Sequence, residues 1–209
     1  MGSFSKNKKE LTDRRYQLKD RLRLFDAVVT PSLLYGCETW ALKVDQERRL
    51  KVTQRKMLRM VLNAKRRTLI VDSGSEPSQE EASKQSEDQE ILGPWPEFLQ
   101  RTAQKMHEHL EKAGLSQWTM QWRTRKWRWA QKLLADTNNK WSRVATSWDP
   151  LLHSNYPRAR RQARPKKRWE EDFEDFLRKA FPEEDRQWRE LAKDRQWWLS
   201  KEEAFAKFR

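Results

Sequence analysis

The sequence predicts an all-α protein, two small helical lobes joined by a disordered acidic linker. Three observations carry this. No stretch sustains the period-two alternation of a half-buried strand, whereas apolar residues recur at helical spacing in several long segments. Charge falls in blocks, with 18 Lys+Arg against 7 Asp+Glu in residues 1–67, 1 against 8 in 68–100, 17 against 4 in 101–168 and 9 against 12 in 169–209. Residues 72–90 are Ser, Glu, Gln and Asp with hardly an apolar side chain, so nothing there offsets the entropy of ordering. The expected division is a basic helical hairpin at 1–67, the acidic linker at 68–93 and a Trp-rich basic helical domain at 94–209.

Each element has its own signal. Leu11 to Val29 reads as helix, with Leu18, Leu22, Phe25 and Val29 on one stripe. Pro31 has no N–H for the carbonyl of Ala27, which predicts a kink or a new short helix capped by Thr30. Gly36 ends that segment or turns the chain just after Tyr35. Asp45 reads as the N-cap of a second long helix to about Lys65, striped by Leu50, Met57, Leu58, Val61 and Leu62. Its other faces are cationic, with Arg48, Arg49, Lys51, Arg55, Lys56 and Arg59.

Beyond the linker, Pro94-Trp-Pro leads into a helix to about Ala113, closed by Gly114. Ser116 is expected to cap the next, which carries Trp118, Trp122, Trp129 and Leu133 on one face and Trp127, Ala130 and Leu134 beside it. A short turn of helix with Trp141, Val144 and Trp148 stops at Pro150. Trp169 is expected to start a helix whose first turns hold Glu170, Glu171, Asp172, Glu174 and Asp175, favourable against its dipole, with Phe173, Phe176 and Leu177 inward. Two helical pieces follow, roughly 183–198 with an Asp194–Arg195 ion pair and 200–208 with a capping box from Ser200 to Glu203.

Composition narrows function. Hydrophobic residues make up 36% and charged residues another 36%, so the core is thin and the 12 Trp carry much of it. The net charge of +14, set in two basic blocks, points to a polyanion. The lone cysteine, Cys37, excludes an internal disulfide and a Cys-rich zinc site, fits a reducing compartment, and reads as buried filler. No apolar run reaches the roughly 18 residues of a membrane span, and the N-terminus lacks a signal-peptide core. The expectation is a soluble nuclear or cytoplasmic protein without a membrane partner. His107 and His109 lie two apart and point in different directions on a helix, and His153 is isolated. No triad, phosphate loop or metal-ligand spacing appears, so no catalytic residue, metal, cofactor or small-molecule substrate is expected.

The candidate nucleic-acid residues fall in three groups. The first is the cationic face Arg48 to Arg59 already described. The second is Arg123, Arg125, Lys126, Trp127 and Arg128, where flat rings interleave with cations as base stacking and phosphate binding require. Core packing explains the Trp118, Trp122, Trp129 stripe; Trp127, off that stripe and between two cations, is the stacking candidate. The third is the extended run with Arg158, Arg160, Arg161, Arg164, Lys166, Lys167 and Arg168, which reads as a phosphate contact or a solvated cluster and also fits a nuclear localisation signal.

Four motifs occur in an order that resembles one family. Pro31-Ser-Leu-Leu-Tyr-Gly-Cys-Glu-Thr-Trp40, with the basic helix after it, resembles the segment beyond the palm and the thumb of non-LTR (LINE-type) retrotransposon reverse transcriptases. Trp127-Arg-Trp-Ala130 is similar to that family's Arg-Trp-Ala-Gly-His box, and Arg161-Gln-Ala-Arg-Pro-Lys-Lys-Arg-Trp169 to its Gly-Arg-Pro-x-x-Arg-Trp box. Trp188, Ala192, Asp194-Arg195 and Trp198 fit its terminal Trp-x-x-x-Ala-x-Asp-Arg-x-x-Trp. Gln131-Lys132 replaces the usual Gly-His, and Ala163 the Gly before Arg-Pro.

The resemblance implies that the Arg48 to Arg59 cations hold a template–primer backbone and that the C-terminal lobe engages template RNA or target DNA. It also implies a palm with paired aspartates ahead of Pro31, and Met1 to Thr30 has no such pair. The endonuclease domain of the family has no counterpart here either. The expectation is therefore a non-catalytic, truncated remnant that binds RNA or DNA, with a palm in trans as a further partner. The alternatives are a helical nuclear adaptor without nucleic-acid binding and a non-functional expressed fragment.

Overall fold

The computed structural model describes residues 2–69, 91–135, 141–147 and 167–208. Its architecture is all-α, as the periodicity predicts. The helices in chain order are α1 (Gly2–Lys6), α2 (Lys8–Thr12), α3 (Leu18–Leu33), α4 (Val44–Val61), α5 (Trp95–Lys112), α6 (Trp118–Ala135), α7 (Trp141–Ser147), α8 (Glu171–Ala180), α9 (Trp188–Leu191), α10 (Arg195–Ser200) and α11 (Glu202–Lys207). The chain divides into two compact units, Met1–Phe25 with Arg55–Leu115, and Asp26–Gln54 with Ser116–Arg209. Each unit is assembled from non-consecutive segments, where the charge blocks suggested consecutive lobes, and α3 and α4 each contribute to both.

In the first unit, the helix expected from Leu11 is interrupted. α2 stops at Thr12, and Asp13 Oδ1 accepts the backbone N–H of Arg15 at 2.9 Å, a local bond that competes with helix. The open ends of α2 and α4 are closed by side chains. Arg21 is buried and donates to the carbonyls of Leu11 and Val61, and Asn63 Nδ2 donates to the Thr12 carbonyl at 3.0 Å. Asn63 also takes φ 50, so α4 ends at Val61 rather than near Lys65. Phe4 meets Phe25 edge-on at 6.3 Å.

Two short strands, β1 (Thr68–Leu69) and β2 (Ile91–Leu92), pair antiparallel, and the Gly93 N–H donates to the Arg67 carbonyl at 2.9 Å. They clasp the two ends of the acidic segment. Both strands fall within the linker expected to be disordered over 68–93, and residues 70–90 between them lie outside the described residues. α5 and its left-handed Gly114 (φ 69) follow as expected.

The second unit is built on α6, buried along Trp118, Trp122, Lys126, Ala130 and Leu134 and on the adjoining row Thr119, Arg123 and Trp127. Its first N–H is capped by a distant side chain: Trp118 N donates to Gln54 Oε1 at 3.0 Å, a role expected of Ser116. Trp118 Nε1 donates to Thr30 Oγ1 at 2.7 Å, which engages Thr30 inside α3 instead of at a cap. α3 accordingly continues through Pro31 to Leu33, and the Leu34 N–H bonds to the Thr30 carbonyl at 2.9 Å.

The C-terminal helices pack as an aromatic cluster of Trp127, Phe173, Phe176, Trp188, Trp198 and Phe205, all buried. Three local expectations change here. α8 starts at Glu171 instead of Trp169. Residues 183–198 form α9 and α10 with a break between, because the Asp194 carboxylate caps α10 by accepting from the N–H groups of Gln196 and Trp197. Asp194 is thus a cap and not the ion-pair partner of Arg195. The Ser200–Glu203 capping box does not form either; Ser200 Oγ donates back to the Trp197 carbonyl at 2.6 Å.

Candidate nucleic-acid interface

The cations of α4 are placed as an interface requires. Within the second unit Arg48 and Arg49 are exposed and Lys51 half-buried; within the first, Arg55 and Lys56 are exposed and Arg59 half-buried. The apolar stripe explains this, since Met57, Leu58 and Val61 turn inward and leave the cationic positions outside. None of the six forms an ion pair with a described residue. Burial, and then repulsion from Arg55 one turn earlier, push the Arg59 guanidinium below its ordinary value. Like charges one turn apart destabilise a bare helix, and an anionic partner reverses the sign of that effect.

The α6 group is mostly a different kind of site. Trp127, expected to stack on bases, is wholly buried: its ring lies parallel to that of Trp198 at 3.6 Å between centroids. No face is open to a base, so the ring has no stacking role. Arg123 is buried, paired with Glu47 at 2.5 Å and bonded to the Phe208 carbonyl. Lys126 is wholly buried, its ammonium 2.5 Å from Asp172 Oδ2 and 5.3–5.6 Å from the ring centroids of Trp122, Trp169 and Phe173. These two cations are committed to the core because their charges are matched there, and they leave the phosphate-contact set.

Arg128 is exposed but holds Glu202 through two hydrogen bonds of 2.8 and 2.6 Å, which raise it further above its ordinary value. Arg125 is exposed, donates to the Leu34 carbonyl at 3.3 Å and pairs with no described carboxylate.

Of the basic run, Arg158, Arg160, Arg161, Arg164 and Lys166 lie outside the described residues. Its last two members are described. Lys167 Nζ reaches both Asp172 and the Leu42 carbonyl, the latter at 2.8 Å, and Arg168 is exposed with Glu170 3.8 Å away. Burial alone pushes the Asp172 carboxyl up; Lys126 and Lys167 outweigh it and hold the group below its ordinary value. Next to this clamp Trp169 Nε1 donates to the Glu38 carbonyl at 2.6 Å. The run therefore ends anchored on the loop after Tyr35.

Two rings that were not named among the candidate binding residues are exposed. Tyr35 is 88% and Trp141 84% exposed. Tyr35 stands between the buried Leu34 and Gly36, which takes φ 62, so the last side chain before the turn leaves the buried stripe. That position was readable; its exposure was not.

Cys37 is buried and its thiol is pushed up by that burial. No group of three or more His, Cys, Asp or Glu among the described residues is arranged to hold a metal. No helix among them is long and apolar enough to cross a membrane. A cavity of about 600 Å³ in the second unit is lined by Glu170, Glu174, Arg178, Phe181, Trp188 and Arg189, among others. Its cations already hold carboxylates: Arg178 pairs with Asp175 and Arg189 with Glu170. Comparison with known proteins found no matching family model, no matching curated protein and no matching solved structure.

Proposed function

We propose that this chain is the thumb and C-terminal region of a non-LTR reverse transcriptase and that it binds a nucleic-acid backbone through α4. The observation that carries the reading is that Arg48 and Arg49 in the second unit and Arg55 and Lys56 in the first are exposed, with Lys51 and Arg59 half-buried, and that none of the six has a carboxylate partner among the described residues. The cations of α6 make the contrast, since Arg123, Lys126 and Arg128 are each paired with an acid. The order of the four motifs supplies the family part of the proposal. As it stands the chain holds RNA or DNA and does not copy it, because nucleotide transfer needs carboxylates that position two metals.

The test is a salt titration of affinity for RNA, single-stranded DNA and duplex, with the six α4 cations changed to Gln. Phosphate binding carries no base information, so affinity should fall for all three ligands, and each phosphate no longer neutralised should remove about 0.7 to 0.9 of the log–log salt slope. Unchanged affinity and slope would overturn the reading and favour the adaptor module. Primer extension by the purified chain with Mg²⁺ or Mn²⁺ would overturn the non-catalytic part.

A further inference from the structure

We infer that Tyr35 is a stacking platform for an unpaired base, with Arg125 holding the adjoining phosphate. The inference rests on the nucleic-acid reading above and assigns to it a contact for single strands. All the residues involved belong to the second unit.

The platform is rigid beneath and open above. Leu34 and Cys37, on either side of Tyr35 and Gly36, are wholly buried, while Tyr35 is 88% exposed. The backbone is fixed through this stretch: Leu34 N bonds to the Thr30 carbonyl at 2.9 Å, Cys37 N to the Leu34 carbonyl at 3.2 Å and Trp40 N to the Cys37 carbonyl at 3.1 Å. Gly36 makes the turn at φ 62. A ring displayed this way loses little conformational entropy on binding.

A cation is bonded to the same stretch of backbone. Arg125 donates one N–H to the carbonyl of Leu34, the peptide group that Tyr35 shares, at 3.3 Å. Its side chain also hydrogen-bonds Cys37 but pairs with no carboxylate among the described residues, and a guanidinium fork suits phosphate oxygens. Residues 167–169 anchor the same loop through the Lys167 bond to Leu42 and the Trp169 bond to Glu38. Arg168, between these two anchors, is exposed and lies 3.8 Å from Glu170.

The occupant follows from this pairing. In the segment Pro31–Trp40 Tyr35 is the one exposed aromatic, too little apolar area for a protein interface core, which needs a cluster of such side chains. One flat ring with a cation beside it matches one base with its phosphate. Duplex presents no free base face, so the platform selects single strands.

The experiment compares Tyr35→Ala, Tyr35→Phe and Arg125→Gln with the unaltered full chain by fluorescence anisotropy, using an oligouridine, a single-stranded DNA and a duplex of the same length. Tyr35→Ala should weaken single strands about five- to 150-fold, the equivalent of about 1–3 kcal/mol of stacking, with duplex affinity and salt slope unchanged. Tyr35→Phe keeps the ring and should bind like the unaltered chain. Arg125→Gln should lower the salt slope by about 0.7 to 0.9. A 5-iodouridine strand should photocrosslink to the peptide containing Tyr35.

Equal loss on duplex, no loss on single strands, or crosslinking elsewhere would overturn the platform. So would a Tyr35→Ala effect confined to anionic vesicles, which would assign the ring to a lipid surface. Loss on neutralising α4 without loss in Tyr35→Ala would sink the platform and leave the backbone-binding reading standing; loss in neither would sink both. An unchanged melting temperature is expected for Tyr35→Ala, since the ring touches solvent and not the core.

Discussion

Trp127 and Trp198 bind each other twice over. Their rings stack at 3.6 Å with planes 7° apart, and each indole N–H donates to the other's backbone carbonyl, Trp127 Nε1 to Trp198 at 2.8 Å and Trp198 Nε1 to Trp127 at 2.9 Å. The pair satisfies two buried donors while burying two of the largest side chains, and it fixes α10 on α6. Phe173, Phe176 and Phe205 close around Trp127 with centroids 4.6–5.8 Å from it.

Trp127→Ala should therefore act on stability. Removing a fully buried indole costs about 3–5 kcal/mol through reduced burial and the cavity left behind, and here it also strands the N–H of Trp198 only if the backbone shifts. Urea unfolding measures the loss. Under conditions where the variant is folded, its preference between single strand and duplex should equal that of the unaltered chain; a selective loss on single strands would return Trp127 to the binding site.

Asp172→Asn should be costly for a different reason. It removes the charge that matches Lys126, which is wholly buried among Trp122, Trp169 and Phe173. Breaking one side of a buried pair costs about 3–5 kcal/mol, whereas replacing the buried cation as well relieves the unmatched charge. The double variant Lys126→Met, Asp172→Asn is expected to be more stable than Asp172→Asn alone. If the single variant unfolds at the same urea concentration as the unaltered chain, the clamp is not a structural element.

Acid should weaken the same clamp. The folded Asp172 carboxyl is held below its ordinary value of 3.8, so the folded state binds its proton less readily than the unfolded chain does. Its contribution is complete above that ordinary value and is lost as pH falls through the lower folded value. Half-buried Asp13 is drawn down to about 2 by its hydrogen bonds from Arg15. The difference between the unaltered chain and Asp172→Asn, followed by denaturant unfolding from pH 6 downward, isolates Asp172: the two curves should converge as pH drops below about 4.

Asp194→Ala should cost about 0.5–2 kcal/mol, the range for losing an N-cap, since its carboxylate accepts two N–H groups of α10. Arg195→Ala should change stability by no more than about 0.5 kcal/mol, since its side chain is exposed and forms no ion pair with a described residue. Equal losses in the two variants would restore the ion-pair account.

The chain's periodicity by itself determined the helical class and the course of the long helices, because burying Leu22, Phe25 and Val29, or Met57, Leu58 and Val61, on one side requires a 3.6-residue repeat. It also determined that α4 turns Arg48, Arg49, Arg55 and Lys56 outward, since these lie off its apolar stripe. Local chemistry close to the backbone was legible at Gly36 and Gly114, whose left-handed turns depend only on the residue itself. Tertiary structure decided which cations of α6 are free. Lys126 and Arg123 read as surface residues in any pattern that scores charge as polar, and they are buried because Asp172 and Glu47, 46 and 76 residues away, neutralise them. It decided likewise that Trp127 faces Trp198 and that Tyr35 faces solvent, because a ring's exposure is set by which distant helix covers it, and no spacing along the chain records that.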